Sequence, residues 1–286
     1  MKPASFRYHA PDRLDDAVSV LAACGDTAKV IAGGQSLVPM MNLRLVAIGD
    51  LVDLSRVPGL DIIERRDGVV RVGATVRQST AEHSDAVACV PLVQRALPLI
   101  GHFQIRNRGT IGGSLAHADP SSELPAIALA LDAVVEATGP SGTRRIAAAE
   151  LFESTWQTSL RDDEILTRVE FPVWSGSCGF AIDEVARRHG DFAIVGAAAG
   201  VQLDDGRIAR ATVALFGVGA TAVRAHDAEA ALVDAGPDAD LDEIGQLATR
   251  DLDPPDDVHA TGTYRREVAA VLVRRVLARA IEEARP

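Results

Sequence analysis

Two short glycine-rich segments hold the residues with the clearest capacity for chemistry in this sequence. Each places two adjacent glycines beside a hydroxyl residue. Glycine allows a positive φ and a close approach of the backbone to a ligand, and successive free N–H groups in such a turn form a concave anion-binding site. Either segment alone would also suit a tight structural turn, but two of them predict a diphosphate held from two sides. The residues are Ala32, Gly33, Gly34, Gln35, Ser36 and Leu37 in the first segment, and Thr110, Ile111, Gly112, Gly113 and Ser114 in the second.

No other arrangement of reactive side chains stands out. Neither glycine segment has the spacing of a Rossmann or P-loop phosphate site. The histidines at positions 102, 117 and 189 lack the partner spacing of a catalytic triad or a metal site, so we expect surface or structural roles for them. The cysteines Cys24, Cys89 and Cys178 are too few and too scattered for a disulfide framework or for an iron–sulfur cluster, which normally takes four.

The charge balance and the hydropathy exclude several classes of partner. With 29 basic and 40 acidic side chains the net charge is −11, which repels the phosphate backbone of nucleic acids. The sequence contains no uninterrupted apolar stretch of about 18 residues, so we expect no transmembrane helix. The first residues lack the apolar core of a signal peptide, so we expect a cytoplasmic protein.

The elements that must position the glycine segments follow a mixed pattern in the first half of the chain. Strand patterns over 29–31 and 51–54 flank the first segment, and helical patterns over 76–82 and 87–100 precede the second. Asp67-Gly68 predicts a hairpin. A buried helix is predicted over 123–131.

The second half of the sequence predicts antiparallel strands followed by helices, so the whole order is α+β. Pro172 and the small residues at 175–177 mark the best boundary. Beyond it we expect strands over 179–185, 193–203 and 208–216 and helices over 225–233, 241–248 and 263–284. The apolar face of the last helix is predicted to consist of Tyr264, Val268, Val271, Leu272 and Val276.

Three further segments, at 40–44, 187–193 and 257–266, accompany the glycine segments in the same order as in a known family. With them, the chain resembles the FAD-binding medium subunit of molybdenum hydroxylases, of the carbon monoxide dehydrogenase and xanthine dehydrogenase flavoprotein type. The resemblance implies a two-subdomain FAD-binding fold of the PCMH/vanillyl-alcohol-oxidase type, over 1–174, with subdomains of about 1–57 and 58–174. A small α+β domain with a three-stranded antiparallel sheet, over 177–286, would follow.

The resemblance also implies roles for single residues. Both glycine segments would contact the FAD diphosphate and its neighbouring groups, and no residue is assigned a catalytic or metal-binding role. Many relatives carry Tyr where Phe192 stands, beside the isoalloxazine ring, and the family usually has Asp, bonding a flavin hydroxyl, where Glu123 stands. Phe192 would otherwise be a core aromatic residue, and Leu166 would be either a flavin contact or plain strand core. The further FAD-binding residues expected outside the segments are Lys29, Asp119, Glu123, Leu166 and Phe192, whereas Arg265 and Arg266 are expected on a helix surface.

The implied function is electron transfer inside a multi-subunit oxidoreductase. A molybdenum cofactor on a large subunit would oxidise the substrate, two [2Fe–2S] clusters on a small subunit would carry the electrons, and FAD on this chain would pass them to an external acceptor. A dimer of such heterotrimers is the family's usual state. Two alternatives stay open: a self-sufficient FAD-dependent oxidoreductase, and a non-catalytic assembly subunit whose glycine turns are only structural.

Overall fold

The structure is a computed structural model that describes residues 2–285. Mixed helices and strands are followed by an antiparallel sheet and then by helices, which confirms the α+β prediction. None of the helices within residues 2–285 combines the length and the apolar composition needed to cross a bilayer.

A three-stranded parallel sheet opens the chain and carries the first glycine segment. The strands lie in the order β1-β3-β2, and Ala17, Val18 and Leu21 of the first helix are buried in the cluster beneath it. Because the strands are parallel, their carboxyl ends share one edge, and the first glycine segment leaves β2 at that edge. The elements are β1 (Arg7–His9), α1 (Leu14–Cys24), β2 (Ala28–Ile31), α2 (Leu37–Asn42) and β3 (Asp50–Asp53).

A five-stranded antiparallel sheet follows, in the order β4-β5-β10-β6-β7. The predicted hairpin at Asp67 and Gly68 joins β4 to β5, and both residues have the positive φ that this turn requires. The elements are β4 (Ile63–Arg66), β5 (Val69–Gly73), α3 (Gln78–Glu82), α4 (Asp85–Ala88), α5 (Pro91–Ala96), α6 (Phe103–Arg106), α7 (Ile111–His117), α8 (Glu123–Ala130), β6 (Val134–Gly139), β7 (Gly142–Ala147), α9 (Ala148–Leu151), β8 (Phe152–Ser154), β9 (Gln157–Thr158) and β10 (Ile165–Pro172).

The helical region before the second glycine segment is more broken than predicted. The pattern over 87–100 yields α4, α5 and a 3₁₀ turn over Leu97–Leu99 instead of one helix. Pro91 begins α5 and Pro98 lies in the 3₁₀ turn, because proline lacks the N–H that a helix interior requires. The apolar periodicity continued across these breaks because all the pieces pack on the same core.

The C-terminal part is a sheet with helices on both faces. The three predicted long strands form it in the order β11-β12-β13, and a two-residue strand, β14, extends its edge. Side chains of β12 alternate between two clusters: Ala198 packs toward α5 and α8, whereas Ala197 and Ala199 pack toward α12. The elements are β11 (Ser177–Val185), β12 (Val195–Asp204), β13 (Arg207–Phe216), β14 (Val223–Arg224), α10 (His226–Ala235), α11 (Leu241–Thr249) and α12 (Gly262–Ala284).

The predicted buried face of α12 is partly wrong. Tyr264 and Val271 are 44% and 45% exposed, so they cannot belong to it. The buried stripe is rotated away from these two residues, and α12 lies so close to β11 that a Cβ atom at Gly179 would collide with the carbonyl oxygen of Ala280. Its members include Arg265, Ala269, Leu272, Val273, Val276, Leu277 and Ala280.

Candidate functional site

The first glycine segment forms a turn rich in free backbone donors. Gly34 has a φ of +73°, and its carbonyl oxygen accepts the amide of Val38 at 3.0 Å, which starts α2. Within residues 2–285, the amides of Gly33, Gly34, Gln35 and Ser36 have no hydrogen-bond acceptor. Four consecutive unpaired N–H groups in a turn are suited to an anion with several oxygen atoms.

The second segment is not a turn, contrary to the sequence prediction. Residues 111–117 form helix α7, and Gly112 and Gly113 have no positive φ. Thr110 caps this helix, since its Oγ1 accepts the amide of Gly113 at 3.0 Å.

The backbone amides at the start of α7 are already paired within the protein. The second segment therefore has fewer free backbone donors for a ligand than the first segment has. Ile111 donates to Val76 and Gly112 to Ala74, at 3.0 and 3.1 Å. A Cβ atom at Gly112 would lie 2.6 Å from the Cα of Ala74. Gly112 is therefore glycine because α7 packs closely on this neighbouring backbone.

The structure brings the two segments into contact, as the prediction of a shared ligand required. A Cβ atom at Gly33 would lie 2.8 Å from the Cα of Gly109 and would collide with the Arg108 carbonyl oxygen. Across the same cleft, a Cβ atom at Gly113 would come within 4.0 Å of the Ala32 side chain. The bare backbone of one segment therefore faces that of the other.

The other predicted residues near the first segment lie in different surroundings. Lys29 is exposed on β2, and Gln35 is exposed in the turn, whereas Ser36 and Leu37 are half-buried. Leu166 on β10 is 5% exposed and belongs to the main hydrophobic cluster.

Asp119 follows α7 and is held by the protein itself. Its Oδ1 accepts the amide of Ser121 at 2.9 Å, and its Oδ2 accepts the indole N–H of Trp156 at 3.0 Å. The ring of His117 stacks on Trp156, with centroids 6.1 Å apart. Burial lowers the pKa of the His117 imidazole.

Glu123 is a buried carboxyl group that keeps its proton at neutral pH. Burial, helped by the nearby charge of Glu184, raises the pKa of Glu123 to about 8. Burial and neighbouring Asp183 raise the pKa of Glu184 to about 7, and one carboxyl oxygen of Glu184 is buried without a partner. Glu184 could not be identified from the sequence, because only the fold brings its carboxyl group near that of Glu123.

Phe192 lies at a cavity rather than in the core. Its side chain is 58% exposed, which rules out the alternative of a core aromatic residue. The cavity has a volume of about 410 Å³. It is lined by Ser121 from the part before β11 and by Arg187, residues 190–194, Asp257, His259 and Arg265 from the part after it.

The expectation that Arg265 and Arg266 lie on a helix surface is wrong. Arg265 is 4% exposed and donates to the carbonyl oxygens of Gly217 and Ile194 and, at 2.6 Å, to Asp257. Arg266 is half-buried and donates to the carbonyl oxygen of Leu252 at 2.7 Å. Single-sequence periodicity cannot identify an arginine whose partners are main-chain carbonyls at the ends of distant strands.

These residues fit a flavin dinucleotide. At Gly33 the first segment packs directly on the backbone before the second, with no room for a side chain, and it presents four free amides beside this contact, which suits a diphosphate. The exposed ring of Phe192 and the protonated carboxyl of Glu123 offer, respectively, a stacking face and a hydrogen-bond donor.

Family comparisons cover nearly the whole chain. Residues 4–174 match the model of the FAD binding domain in molybdopterin dehydrogenase, and residues 180–280 match that of the CO dehydrogenase flavoprotein C-terminal domain. Among curated relatives, the chain is 44% identical to the 6-hydroxypseudooxynicotine dehydrogenase complex subunit alpha of Paenarthrobacter nicotinovorans, over 100% of this chain and 98% of that protein. It is 35% identical to the carbon monoxide dehydrogenase medium chain of Afipia carboxidovorans, over 98% of each.

Solved structures agree. The carbon monoxide dehydrogenase of Hydrogenophaga pseudoflava that lacks the Mo-pyranopterin moiety aligns with a TM-score of 0.96 at 34% identity, over 99% of both chains. Quinoline 2-oxidoreductase from Pseudomonas putida 86 aligns with a TM-score of 0.94 at 38% identity, again over 99% of both. The chain therefore belongs to the FAD-binding medium subunits of molybdenum hydroxylase-type dehydrogenases and is an oxidoreductase subunit of the carbon monoxide and xanthine dehydrogenase type.

Proposed function

We propose that this chain is the electron-transfer subunit of its complex. It would receive electrons from [2Fe–2S] clusters on a small partner subunit, which is reduced in turn by a molybdenum cofactor on a large partner subunit. It would pass them to an external acceptor. Family membership supports this proposal, and so does the name of the 44% identical relative, which is a subunit of a dehydrogenase complex.

The observation that carries the proposal is the row of four unpaired amides in the first glycine segment, which lies in contact with the second. We assign the FAD diphosphate to this cleft, with the hydroxyl groups of Ser36 and Ser114 as additional donors and Ala32, Leu37 and Ile111 as its apolar walls. When bound, FAD supplies the capacity to take up electrons one at a time and release them in pairs. The protein binds it, orients it and controls access to it.

Further residues are assigned on the family resemblance and their surroundings. We assign Glu123, as a neutral donor, to a flavin hydroxyl, because its raised pKa keeps it protonated. Phe192 would shield one face of the flavin ring. Lys29, Asp119 and Leu166 are proposed as peripheral contacts, although Asp119 is already fixed by Trp156 and Ser121.

The iron–sulfur and molybdenum centres are proposed to lie on the other subunits. Cys24, Cys89 and Cys178 lie in α1, after α4 and in β11, and all three are free thiols. Thiolate ligation of a cluster takes four cysteines. Free, partly buried thiols also suit a reducing compartment, and we place the subunit in the cytoplasm.

Purification under native conditions tests the proposal. We expect the chain to co-purify with a larger and a smaller subunit, and the complex to contain iron, molybdenum and FAD that acid precipitation releases completely. Substrate should bleach the flavin band of the complex but not that of the chain expressed alone. An active enzyme containing only this polypeptide and FAD would instead establish the self-sufficient oxidoreductase. A native complex without flavin would establish the assembly subunit.

A further inference from the structure

Three side chains of the types that bind metal ions converge at the amino-terminal edge of the parallel sheet. His9 ends β1, Cys24 ends α1 and Asp50 begins β3. An imidazole nitrogen, the thiol sulfur and a carboxylate oxygen of these residues all lie within 4.8 Å of one another. Their spacing along the chain does not predict a metal site, and only the fold brings them together.

The backbone that carries these side chains is fixed by a series of hydrogen bonds. The amide of Arg7 donates to the carbonyl oxygen of Gly49 at 2.8 Å, and the amide of Gly49 donates to the carbonyl oxygen of Thr27 at 2.9 Å. The Oγ1 of Thr27 donates in turn to the carbonyl oxygen of Cys24 at 2.9 Å. The three side chains therefore project from one connected frame, which lowers the cost of ordering them around an ion.

Asp50 is a buried carboxylate, and a buried carboxylate requires a positive charge beside it. Its side chain is only 1% exposed. Its Oδ2 accepts a hydrogen bond from Arg7 at 2.7 Å, and its Oδ1 lies 2.7 Å from Nε2 of His9. The side chain of Arg7 is 74% exposed. Because ion pairs that involve an exposed arginine contribute little stability, a metal ion can replace Arg7 as the counter-charge.

The set of ligand atoms narrows the choice of ion. A thiolate, an imidazole and a carboxylate together suit Zn²⁺, whereas Mg²⁺ and Ca²⁺ take oxygen ligands. Neighbouring ligand atoms in a tetrahedral zinc site are about 3–4 Å apart, so shifts of about 1 Å would close these three groups around an ion. The side chain of His9 is 30% exposed and Cys24 is half-buried, which gives the ion a path from solvent and leaves room for a water molecule.

We propose that His9, Cys24 and Asp50 bind one Zn²⁺ ion, with water as the fourth ligand. Binding releases the thiol proton of Cys24 to solvent. The ion ties β1, the end of α1 and β3 together, and β3 pairs with β2, which leads into the first glycine segment. The zinc site lies at the opposite edge of the sheet from that segment, so the inference does not depend on the proposed function.

Difference absorption of the reduced, chelator-treated full-length chain during titration with Co²⁺ tests this site. We expect one Co²⁺ per chain with the near-ultraviolet charge-transfer band of a cobalt thiolate, and loss of the band when Zn²⁺ is added. Cys24→Ser should abolish the band. His9→Gln should weaken Co²⁺ binding at least about tenfold, since loss of even a hydrogen-bond partner of a metal ligand costs about 10–100-fold in affinity. The matched controls, Cys89→Ser at another half-buried thiol and His83→Gln at an exposed histidine, should bind as the wild type does.

Arg7→Gln distinguishes a metal site from a purely structural ion pair. Because the charge of Arg7 competes with the metal ion for Asp50, its removal should tighten the binding of Co²⁺ and Zn²⁺ severalfold. Thermal unfolding gives a second readout: Zn²⁺ should raise the Tm of the wild type and of Arg7→Gln but not that of Cys24→Ser. A folded wild type without the thiolate band, a band that survives in Cys24→Ser, or weaker binding in Arg7→Gln would overturn the zinc site.

Discussion

Gly33 packs on the backbone that leads into the second glycine segment, and it carries a prediction of its own. We expect Gly33→Ala to reduce FAD affinity at least tenfold, because its Cβ atom would push against the backbone at Arg108 and Gly109 and force the cleft apart. Bound flavin is measured after gel filtration. Gly219→Ala is the control, since the nearest atom to a Cβ there is 3.6 Å away. Equal flavin retention in both variants would place the diphosphate elsewhere.

Because Gly112 lies in helix α7 and not in a turn, valine at this position should lower the stability of the chain as well as its affinity for flavin. The side chain would meet the backbone of Ala74 within α7's packing contact, so we expect Gly112→Val to destabilise the chain by several kcal/mol in addition to removing flavin. Denaturant unfolding of the flavin-free chain would measure the change. A variant that unfolds like the wild type would mean that α7 can move away from Ala74 at little cost.

The buried carboxyl of Glu123 predicts a pH-dependent stability. Because its pKa is about 8 in the folded chain and 4.5 ordinarily, the folded chain holds a proton between about pH 4.5 and 8 that the unfolded chain has released. The free energy of unfolding should therefore decrease as pH rises through this window. Glu123→Gln should make the profile less steep, with the slope due to Glu184 left in place, and should stabilise the flavin-free chain at about pH 9 by on the order of 2 kcal/mol.

Urea unfolding of the flavin-free chain across this pH range measures the effect. Exposed Glu153 provides the control, and Glu153→Gln should keep the wild-type profile. An unchanged slope in Glu123→Gln would show that Glu123 ionises without penalty in the folded chain.

At the scale of elements, Arg265 fixes the start of α12 to the ends of the central sheet. We expect Arg265→Lys to cost about 2–4 kcal/mol, since lysine cannot reproduce the forked bonds to Gly217 and Asp257 and leaves buried acceptors unpaired. Arg274→Lys, on the same helix and paired with an 80% exposed Asp242 side chain, should cost less than about 1 kcal/mol. Thermal unfolding of both variants measures these costs. Similar costs would mean that the hydrogen bonds of Arg265 stabilise the chain no more than those of an exposed arginine.

At the scale of the whole molecule, we propose two domains, 1–174 and 177–286. The first domain would consist of subdomains of about 1–57 and 58–174. The two parts nevertheless share a core. Phe180 and Phe216, from beyond the boundary, belong to the same buried cluster as Leu124 and Leu97 before it. Arg95 of α5 also pairs with Glu283 at the far end of the chain at 2.6 Å.

We therefore expect one cooperative unfolding transition for the full chain. The fragment 1–174 should aggregate or expose its apolar face, because it loses the sheet that covers α5 and α8. Calorimetry of the full chain and dye binding by the fragment check this. Two separate transitions, or a soluble fragment with native-like unfolding, would show that the parts fold independently.

Local signals in the sequence determined many elements of this protein. The Asp67-Gly68 hairpin, the long strands β11 to β13 and most of α12 were predicted, because turn chemistry and periodicity act within a few residues. The first glycine segment was also predicted as a turn, and Gly34 has the positive φ that glycine permits. Recognising the family required only short motifs in a fixed order.

Other features were decided only by the tertiary structure. The second glycine segment became a helix because its amides pair with Val76 and Ala74, which belong to a different element. The buried stripe of α12 was set by how closely β11 approaches it, and Glu123 at the start of α8 owes its raised pKa to burial and to Glu184 on β11. Sequence by itself therefore determined the family, the first glycine turn and most of the elements, because these depend on neighbours along the chain. Close backbone approach, burial and charge pairing depend on neighbours in space, and only the folded chain supplies those.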